Sequence, residues 1–336
     1  MQAKLLNIYI LFFCFFAITT VDASTVEELY KALGKAKAGQ IISIAPGEYD
    51  VSTLEGKIRY FLDFSGEKTR PITLTAKDPN DPPILRNAGI GSGFVLNIRG
   101  DYWVIDNIKI AFGSKAIVLE NANYNIIRNV EIFSIGSHAI NIRGGSSHNL
   151  FQNCYIHNIG SYNNLFGVGV LIGLPHETPG YNPNNTYNVI EGCVFRHTTS
   201  ENILIREYSD NNEVFNCVFY GEGINGKSDA NSFIMISGSD NYIHDNVGYR
   251  NSNNHIEAAF EIQKVVEDSG DGNKFVNNAL FMDRPYGEIH EEKRIYVVDG
   301  ADAKFSVKNN IVNYGDGLIE ADSEEFYNSD SVTFLK

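Results

Sequence analysis

One short stretch of the sequence concentrates side chains that can do acid–base chemistry. Glu201 opens it, and Arg206, Glu207 and Tyr208 follow closely. A guanidinium can neutralise a carboxylate or act as a base, a phenol can exchange a proton, and carboxylates are ligands for Ca²⁺. We therefore predict Arg206 and Tyr208 as catalytic residues, with Glu201 and Glu207 as calcium ligands. The alternative for Arg206 is a solvated ion pair with a neighbouring glutamate.

The residues inside this stretch alternate, which indicates a strand with one buried face. If Ile203 and Ile205 point into a core, Asn202 and Arg206 point outward. Strands of the same pattern occur before and after this one, and stacked ~4.8 Å apart they would align their outward side chains in a polar strip. His138 precedes one of these strands and can approach the strip. The predicted binding residues are Asn141, Arg143, Asn202, His255, Glu261 and Gln263.

These strands belong to a repeat that occurs eight times. Each copy carries an Asn or Cys at an equivalent place, and these places are 107, 129, 154, 193, 217, 246, 278 and 310. The copies contain two or three short strands each and tolerate insertions at one place. Stacked coils of a parallel β-helix produce this pattern, with the Asn at each bend bonding to the coils above and below. The predicted fold is therefore all-β, a parallel β-helix solenoid.

The two ends of the chain depart from the repeat. Residues 5–17 are almost entirely apolar and small residues precede Ser24, which is typical of a secretory signal cleaved at that point. A retained anchor would need an apolar run of ~20 residues. Thr25 can cap a short helix from Val26 to about Ala36 that covers the first coil. We predict a signal peptide at 1–23 and one domain at 24–336, with a cap at 24–40, coils at 41–314 and a C-terminal closure at 315–336.

Three cysteines remain after the signal. Cys154, Cys193 and Cys217 occupy equivalent places in successive coils, so we expect a stack of small buried side chains. A disulfide between neighbouring coils is the alternative. The sequon at Asn184 lies in a stretch rich in Pro and Asn, which predicts a glycosylated surface loop.

The formal net charge of −14 at pH 7 limits the class of ligand. Because the sequence contains no cluster of Lys and Arg, nucleic acid and anionic membranes are not expected partners. A polyanionic polysaccharide requires a groove that is locally basic or that holds a cation.

Three segments carry a resemblance to a known family. They are STVEELYKALGKAKAGQIISIAPGEYD, GEKTRPITLTAKDPNDPPIL and GDYWVIDNIKI, at residues 24–50, 66–85 and 100–110. They resemble the opening of secreted, right-handed parallel β-helix proteins of the pectate-lyase type. The chain looks most like polysaccharide lyase family six, which contains chondroitinase B and alginate lyases. By this resemblance Glu201 falls on the family's first calcium-binding Glu, whereas Tyr208 and Ser237 lie near its catalytic Lys and Arg.

The resemblance implies a secreted enzyme that acts on an extracellular polysaccharide, with a lyase favoured over a hydrolase. β-elimination from a uronic-acid glycan needs a group that neutralises the carboxylate, a base for the C5 proton and an acid for the leaving oxygen. Arg206, Tyr208 and a Ca²⁺ held by Glu201 and Glu207 are expected in these roles. The alternative is a non-catalytic glycan-binding or surface β-helix protein. A monomer without a membrane span is expected in either case.

Overall fold

The structure is a computed structural model of the 336-residue chain and consists almost entirely of short strands. It describes residues 18–162, 166–175, 178–226, 232–250, 255–256, 258–267, 269–281, 296–299, 303–313, 319–321 and 325–328. The predicted signal segment up to residue 17 lies outside the described residues, as does most of the predicted closure at 315–336. Within the described ranges, no helix has the length and apolar character needed to cross a membrane.

The strands form three sheets that run along the coil, and neighbouring strands pair in parallel except at the C-terminal end. Sheet A contains β1 (Thr19–Ala23), β2 (Gln40–Ile44), β5 (Ile72–Ala76), β8 (Trp103–Asp106), β11 (Ile126–Arg128), β14 (Leu150–Gln152), β17 (Val189–Glu191), β20 (Glu213–Phe215), β23 (Tyr242–His244), β26 (Asn273–Val276), β29 (Lys304–Lys308) and β32 (Glu325–Asn328). Sheet B contains β3 (Glu48–Asp50), β6 (Ile84–Arg86), β9 (Lys109–Ala111), β12 (Glu131–Ile135), β15 (Tyr155–Ile159), β18 (Val194–Thr198), β21 (Val218–Tyr220), β24 (Val247–Tyr249), β27 (Ala279–Phe281), β30 (Ile311–Asn313) and β31 (Ile319–Ala321). Sheet C contains β4 (Tyr60–Leu62), β7 (Phe94–Ile98), β10 (Lys115–Glu120), β13 (Ile140–Arg143), β16 (Val170–Ile172), β19 (Ile203–Ile205), β22 (Ile234–Ile236), β25 (Phe260–Gln263) and β28 (Tyr296–Asp299).

The chain visits the three sheets in turn, so each coil contributes one strand to each sheet. Alternate side chains of each strand point into the space between the sheets and form one continuous core. Ile203 and Ile205 of β19 are fully buried there, and they pair with Ile234 and Ile236 of the next coil. The predicted parallel β-helix and the inward orientation of Ile203 and Ile205 are confirmed.

The bend between sheets A and B uses two adjacent columns of residues. In the outer column every residue has a left-handed backbone, with φ between 51° and 62°: Asn107, Asn129, Asn153, Gly192, Asn216, Asp245, Asn277 and Asn309. The next column points inward and consists of Ile108, Val130, Cys154, Cys193, Cys217, Asn246, Asn278 and Asn310. The predicted equivalence of Asn107 and Asn129 with Cys154 is therefore wrong by one residue. Asn is favoured in the outer column because it tolerates the left-handed conformation.

A second use of asparagine joins the coils through their buried side chains. The Nδ2 atom of each member donates to the Oδ1 atom of the next, at 2.9 to 3.1 Å, through Asn125, Asn149, Asn188, Asn212, Asn241 and Asn273. The same Oδ1 atoms accept from backbone amides of the preceding coil, for example from Asn149 N to Asn188 Oδ1. A shorter ladder links Asn246, Asn278 and Asn310. Bonding between coils through Asn, as predicted, is confirmed.

The three cysteines lie in the inner column and are free and buried. The thiol of Cys154 donates to the carbonyl of Ile127 at 3.6 Å, and Cys217 donates to Ile190 at 3.7 Å. The hydrogen bond with the neighbouring thiol of Cys193, together with burial, raises the pKa of Cys154 well above its usual value. The predicted stack of small buried side chains is thus confirmed, and the alternative of an inter-coil disulfide is not found.

The N-terminal end differs from the predicted boundary. Helix α1 (Val26–Leu33) is capped by Thr25, whose hydroxyl accepts from the amide of Glu28, and Leu29 and Leu33 bury its inner face. A one-turn 3₁₀ helix covers Val51–Thr53. However, β1 precedes α1 and pairs with β2 along its full length, and its Ala23 is 1% exposed. The described β-helix therefore includes residues 19–23, which fall inside the predicted signal peptide at 1–23, and cleavage before Ser24 stays a prediction.

The C-terminal end breaks the parallel pattern, as expected of a closing segment. β31 pairs antiparallel with β30, and β32 pairs antiparallel with β29. Reversed strands occupy the last edges of sheets A and B and leave no further parallel edge there for another coil among the described residues.

The buried asparagine ladder generates a stability prediction. Replacing Asn188 with Ala removes the acceptor for the amide and side chain of Asn149 and the donor to Asn212 Oδ1 and to Ser146 O. We expect Asn188→Ala to lower the free energy of unfolding by roughly 2–4 kcal/mol, since buried polar groups lose their partners. Urea unfolding measures the loss, and exposed Asn80→Ala serves as the control, with a change within ~0.5 kcal/mol. Equal effects of the two substitutions would contradict this role of the ladder.

Candidate active site on sheet C

The outward face of sheet C carries a central column of residues, which we call the floor column. Strand pairing aligns Asn97, Val118, Asn141, Leu171, Leu204, Met235 and Glu261 in it. These side chains point away from the core, yet none is more than 8% exposed. Val168 packs with Leu171, Leu204 and Met235 in an apolar cluster separate from the main core. The floor column therefore lies in a depression whose middle is apolar.

A second outward column runs two residues further along each strand, and we call it the rim column. It contains Arg99, Glu120, Arg143, Gly173, Arg206, Ser237 and Gln263. Gly173 has φ of +96°, and a Cβ atom there would lie 2.7 Å from the Cβ of Arg206. Because only glycine fits this backbone and this contact, Gly173 leaves room for the Arg206 side chain beside it.

Besides Arg99, which pairs with Asp63, basic side chains gather along these two columns and beside them. They are Arg59 before β4, Lys115 at the start of β10, His138 before β13, Arg143 and Arg206. Arg143 pairs with Glu120 at 3.2 Å. Arg59, Lys115 and Arg206 form no ion pair with any residue that the structure describes. This basic strip, as we call the five residues, is local, because the chain as a whole carries a net charge of −14.

The cations of the basic strip lie close enough to repel one another. Burial lowers the pKa of Lys115 from its ordinary value, and the charge of Arg143 lowers it further. The pKa of Arg59 is lowered by burial and by Arg143 in the same way. Like charges held together without a full set of carboxylates are characteristic of a site for an anionic ligand.

His138 lies within electrostatic reach of both Lys115 and Arg206. Burial lowers the pKa of His138 to about 3, and the charges of Lys115 and Arg206 add to this effect. The ring is partly exposed, but its Nδ1 atom is buried and has no hydrogen-bond partner among the described residues. His138 is therefore neutral at neutral pH, with one ring nitrogen ready to accept or donate a hydrogen bond.

Several buried polar atoms on this face lack a protein partner within the described ranges. Both side-chain polar atoms of Asn141 are in this state, although Asn141 is only 1% exposed. The others nearby are Nε of Arg143, Oδ1 of Asn202 and Nε of Arg206. Buried polar groups are normally hydrogen-bonded, so such a concentration points to a polar ligand or ordered water at this place.

The structure brings five of the sequence-predicted residues into this region. Asn141 lies in the floor column, and Arg143 and Arg206 lie in the rim column two coils apart. Asn202 immediately precedes β19, and its Nδ2 atom donates to the hydroxyl of Thr198 at 2.8 Å. Tyr208 follows in the turn after Arg206, with φ of 61° and 39% exposure. The alternative for Arg206, an ion pair with a neighbouring glutamate, is not found among the described residues.

The remaining predicted residues lie on the C-terminal side of Arg206. Glu261 is in the floor column and Gln263 in the rim column, where the amide of Gln263 donates to Glu261 at 2.9 Å. His255 is exposed in a turn, with its ring near Gly226.

Glu201 and Glu207 are not brought together. They flank β19 at opposite ends, and the extended stretch from 201 to 206 alone spans roughly 16 Å at ~3.3 Å per residue. Calcium needs its oxygen ligands at ~2.5 Å, so this backbone separation does not favour one ion shared by both carboxylates, and calcium binding by Glu201 and Glu207 stays a prediction. Glu201 instead accepts a short hydrogen bond from the hydroxyl of Ser200. Among the described residues, no group of three or more His, Cys, Asp or Glu side chains is arranged to hold a metal.

Sequence reasoning missed the basic residues at the N-terminal coils. Arg59 and Lys115 are separated by more than fifty residues in sequence, and both approach the ring of Phe94. The signal that identifies them is the alternation of sheet C, extended backward from β13 to β10, β7 and β4. Tyr181, in the loop after β16, was missed for a different reason: its contact with Arg143 depends on how that loop folds back.

Comparison with known proteins agrees with this architecture. Residues 17–165 match a family described as Pel9A-like, right handed beta helix region. The crystal structure of alginate lyase from Paenibacillus sp. str. FPU-7 is 32% identical with a TM-score of 0.81, and the match covers 88% of this chain and 96% of that chain. No curated protein sequence matches the chain.

Two further solved structures share the fold at lower identity. A rhamnogalacturonan lyase is 16% identical with a TM-score of 0.59, covering 87% of each chain. Pectate lyase Pel9A is 15% identical with a TM-score of 0.58, covering 85% of this chain and 71% of that chain. Three parallel sheets, the register of their strands and the similarity to the Paenibacillus enzyme lead to one conclusion: the chain belongs to the pectate-lyase-like family of right-handed parallel β-helix proteins.

Proposed function

We propose that the protein is a polysaccharide lyase that cleaves a uronate-containing polysaccharide by β-elimination on the outer face of sheet C. The observation that carries this proposal is the basic strip on an otherwise acidic protein. Its cations suit the carboxylates of a polyuronate, and a neutral glycan would leave them uncompensated. Alginate is the first substrate to test, since the Paenibacillus relative is an alginate lyase.

The reaction has defined requirements. A base removes the proton at C5 of the uronate, the electron pair forms the C4–C5 double bond, and the C4–oxygen bond breaks. The leaving glycosidic oxygen then takes a proton from an acid. Negative charge develops on the uronate carboxylate as the C5 proton leaves, so fixed positive charge and hydrogen-bond donors at that carboxylate lower the barrier.

Arg206 fits the role of neutralising group. Its charge is not compensated by any carboxylate of the described residues, and its Nε atom is buried without a partner there. The amide of Asn141 can donate a further hydrogen bond to the same carboxylate. Both groups stand on strands of a rigid sheet, which holds them in place before the substrate arrives.

Tyr208 is the proposed proton-transfer group, and His138 is proposed to help position the sugar. Tyr208 is partly exposed in the turn that follows Arg206, and a phenol can give or take a proton. His138 is neutral and lies within electrostatic reach of Arg206, so it can hold a hydrogen bond to the reacting sugar without adding charge. We assign Tyr208 the transfer to or from the reacting atoms and His138 a positioning role.

The further parts of the proposal concern location and partners. The apolar segment at 5–17 supports secretion, with cleavage before β1 so that the first strand remains. The exposed Asn184 supports glycosylation of the loop that precedes β17. Secretion would bring the protein to the extracellular polysaccharide that we propose as its substrate.

Substitution of Arg206 tests the proposal. We expect Arg206→Ala to lower kcat/KM on alginate by about 10² or more, the usual scale for loss of a positioned electrostatic group. The melting temperature should stay close to that of the wild type, because Arg206 makes no ion pair among the described residues. Elimination is followed by the ultraviolet absorbance of the new double bond conjugated with the carboxylate.

The control for this experiment is Arg128→Ala, which removes an arginine of sheet A that pairs with Asp106. It should leave kcat/KM near the wild-type value. If the wild type binds uronans but produces no absorbance change on alginate, pectate or a dermatan-type glycan, the protein is the non-catalytic glycan-binding alternative.

Chelation is a second test. Because side-chain cations supply the positive charge in this proposal, we expect turnover to stay within about twofold after dialysis against a chelator. Activity is compared before and after addition of Ca²⁺ to the dialysed protein. Abolished activity that Ca²⁺ restores would show that an ion supplies the neutralising charge.

His138 generates a prediction about stability and pH. Its pKa is about 3 in the folded protein and ~6.5 in the unfolded chain, so its contribution to stability is present above pH ~6.5 and is lost as the pH falls toward 3. We expect His138→Asn to lose less stability than the wild type between pH 7 and pH 4, by at least about 1 kcal/mol. Urea unfolding at the two pH values measures this difference. His197→Asn, on sheet B, is the comparison, and the same pH response in both variants would contradict the prediction.

A further inference from the structure

Three cations surround one aromatic ring at the N-terminal end of the basic strip. The guanidinium carbon of Arg59 lies 4.3 Å from the ring centroid of Phe94, the Nζ of Lys115 lies 5.3 Å away, and the guanidinium carbon of Arg143 lies 5.5 Å away. We call these four residues the Phe94 cluster. Arg143 also lies 5.4 Å from the ring of Tyr181, which is 38% exposed.

The cations of the Phe94 cluster form fewer ion pairs with carboxylates than the arginines elsewhere in the described part of the protein. Arginines elsewhere pair with carboxylates, namely Arg70, Arg86, Arg99, Arg128 and Arg196. In the cluster, Glu120 pairs with Arg143, while Arg59 and Lys115 form no ion pair with a described residue. The Nε atoms of Arg59 and Arg143 are buried and have no hydrogen-bond partner in the described ranges. Two buried, unpartnered donors beside uncompensated charge point to an anionic ligand.

The cluster is distinct from the place where Arg206 lies. Coils stack at ~4.8 Å, so Lys115 on β10 stands three coils, or roughly 14 Å, from Arg206 beside β19. Arg59, before β4, stands five coils away, or roughly 24 Å. His138 lies between them and responds electrostatically to both Lys115 and Arg206. The cluster and Arg206 therefore occupy two parts of one continuous strip.

The opposite side of Arg206 has a different character. The next two coils place Met235, Ser237, Glu261 and Gln263 in the floor and rim columns, with no cation in these columns among the described residues. Among the described residues of these columns, positive charge thus extends from Arg206 toward the N-terminal coils. The electrostatic attraction for a bound polyanion is therefore strongest where the polyanion lies over the strands of sheet C from β4 to β13.

We propose that the Phe94 cluster is a second binding subsite, which holds uronate residues of a polymer several sugars away from the bond that is cleaved at Arg206. This inference rests on the function proposed above. Arg59 and Lys115 bind sugar carboxylates, and the rings of Phe94 and Tyr181 offer apolar surface to the C–H faces of the sugars. Affinity then depends on chain length, because only a long chain reaches both Arg206 and the cluster.

The test compares kcat/KM on polymeric alginate with kcat/KM on a series of alginate oligomers of decreasing length. The variants are Arg59→Gln, Arg59→Lys and Lys115→Gln, with Arg128→Gln as the matched loss of one positive charge on sheet A. We expect Arg59→Gln to lower kcat/KM on the polymer about tenfold, equivalent to ~1.4 kcal/mol, mainly through KM. The loss should shrink as the oligomers shorten, and Arg59→Lys should recover most of it.

Thermal melting of each variant identifies any that does not fold, and Lys115→Gln tests the cluster independently of Arg59. A loss that is the same at every chain length, or no larger than that of Arg128→Gln, overturns the proposal. Calorimetric binding of polymeric alginate separates this inference from the proposed function. If the wild type does not cleave alginate but Arg59→Gln weakens its binding, the subsite stands and the lyase function falls. Binding that Arg59→Gln and Lys115→Gln leave unchanged overturns the subsite.

Discussion

The constant register of one coil on the next is the constraint on which the rest of the structure depends. Every coil must offer its backbone and its buried asparagine to the neighbours at the same height, as Asn149, Asn188 and Asn212 do. A shift by one residue would turn the isoleucines of a strand outward and break the ladder at the same time. The number of residues in a coil therefore varies only in the segments that connect its strands. The longest spacing in the repeat, before Cys193, places its extra residues in the segments before and after β16, between strands.

This register is also what assembles the candidate site. Asn141 and Arg206 are 65 positions apart in sequence, but the coil brings their strands within two steps of each other on sheet C. Backbone pairing fixes the spacing of the strands, so side chains that leave equivalent positions form columns rather than a scattered set. The protein needs no long-range contact other than strand pairing to align its cations. Gly173 in the rim column has no side chain and therefore leaves room for the side chain of Arg206 beside it.

The fold could be predicted because alternation and repeat spacing are properties of the sequence itself. The inner and outer columns at the bend could not be separated, since Asn serves the left-handed position at 107 and 129 and the buried ladder at 246, 278 and 310. The boundary before Ser24 stays a prediction, and the sequence did not indicate β1 because this strand follows directly on an apolar run that resembles a signal. Asn141, Arg143 and Arg206 followed from alternation alone. Arg59 and Lys115 require the same alternation to be extended back to β10 and β4, and their shared contact with the ring of Phe94, on β7, is visible only in the structure.

The acidic balance of the chain and the basic strip are compatible for an electrostatic reason. Charges separated by more than about 8 Å are largely screened at physiological ionic strength, whereas partly buried charges are screened much less. The negative charge of the remaining surface is distributed and much of it is paired, as Asp63 is with Arg99 and Glu222 with Arg196. A polyanion that reaches sheet C meets Arg59, Lys115 and Arg206 at short range, and no carboxylate of the described residues pairs with these three cations. Local charge and register therefore decide what this face can bind, and the net charge of −14 does not.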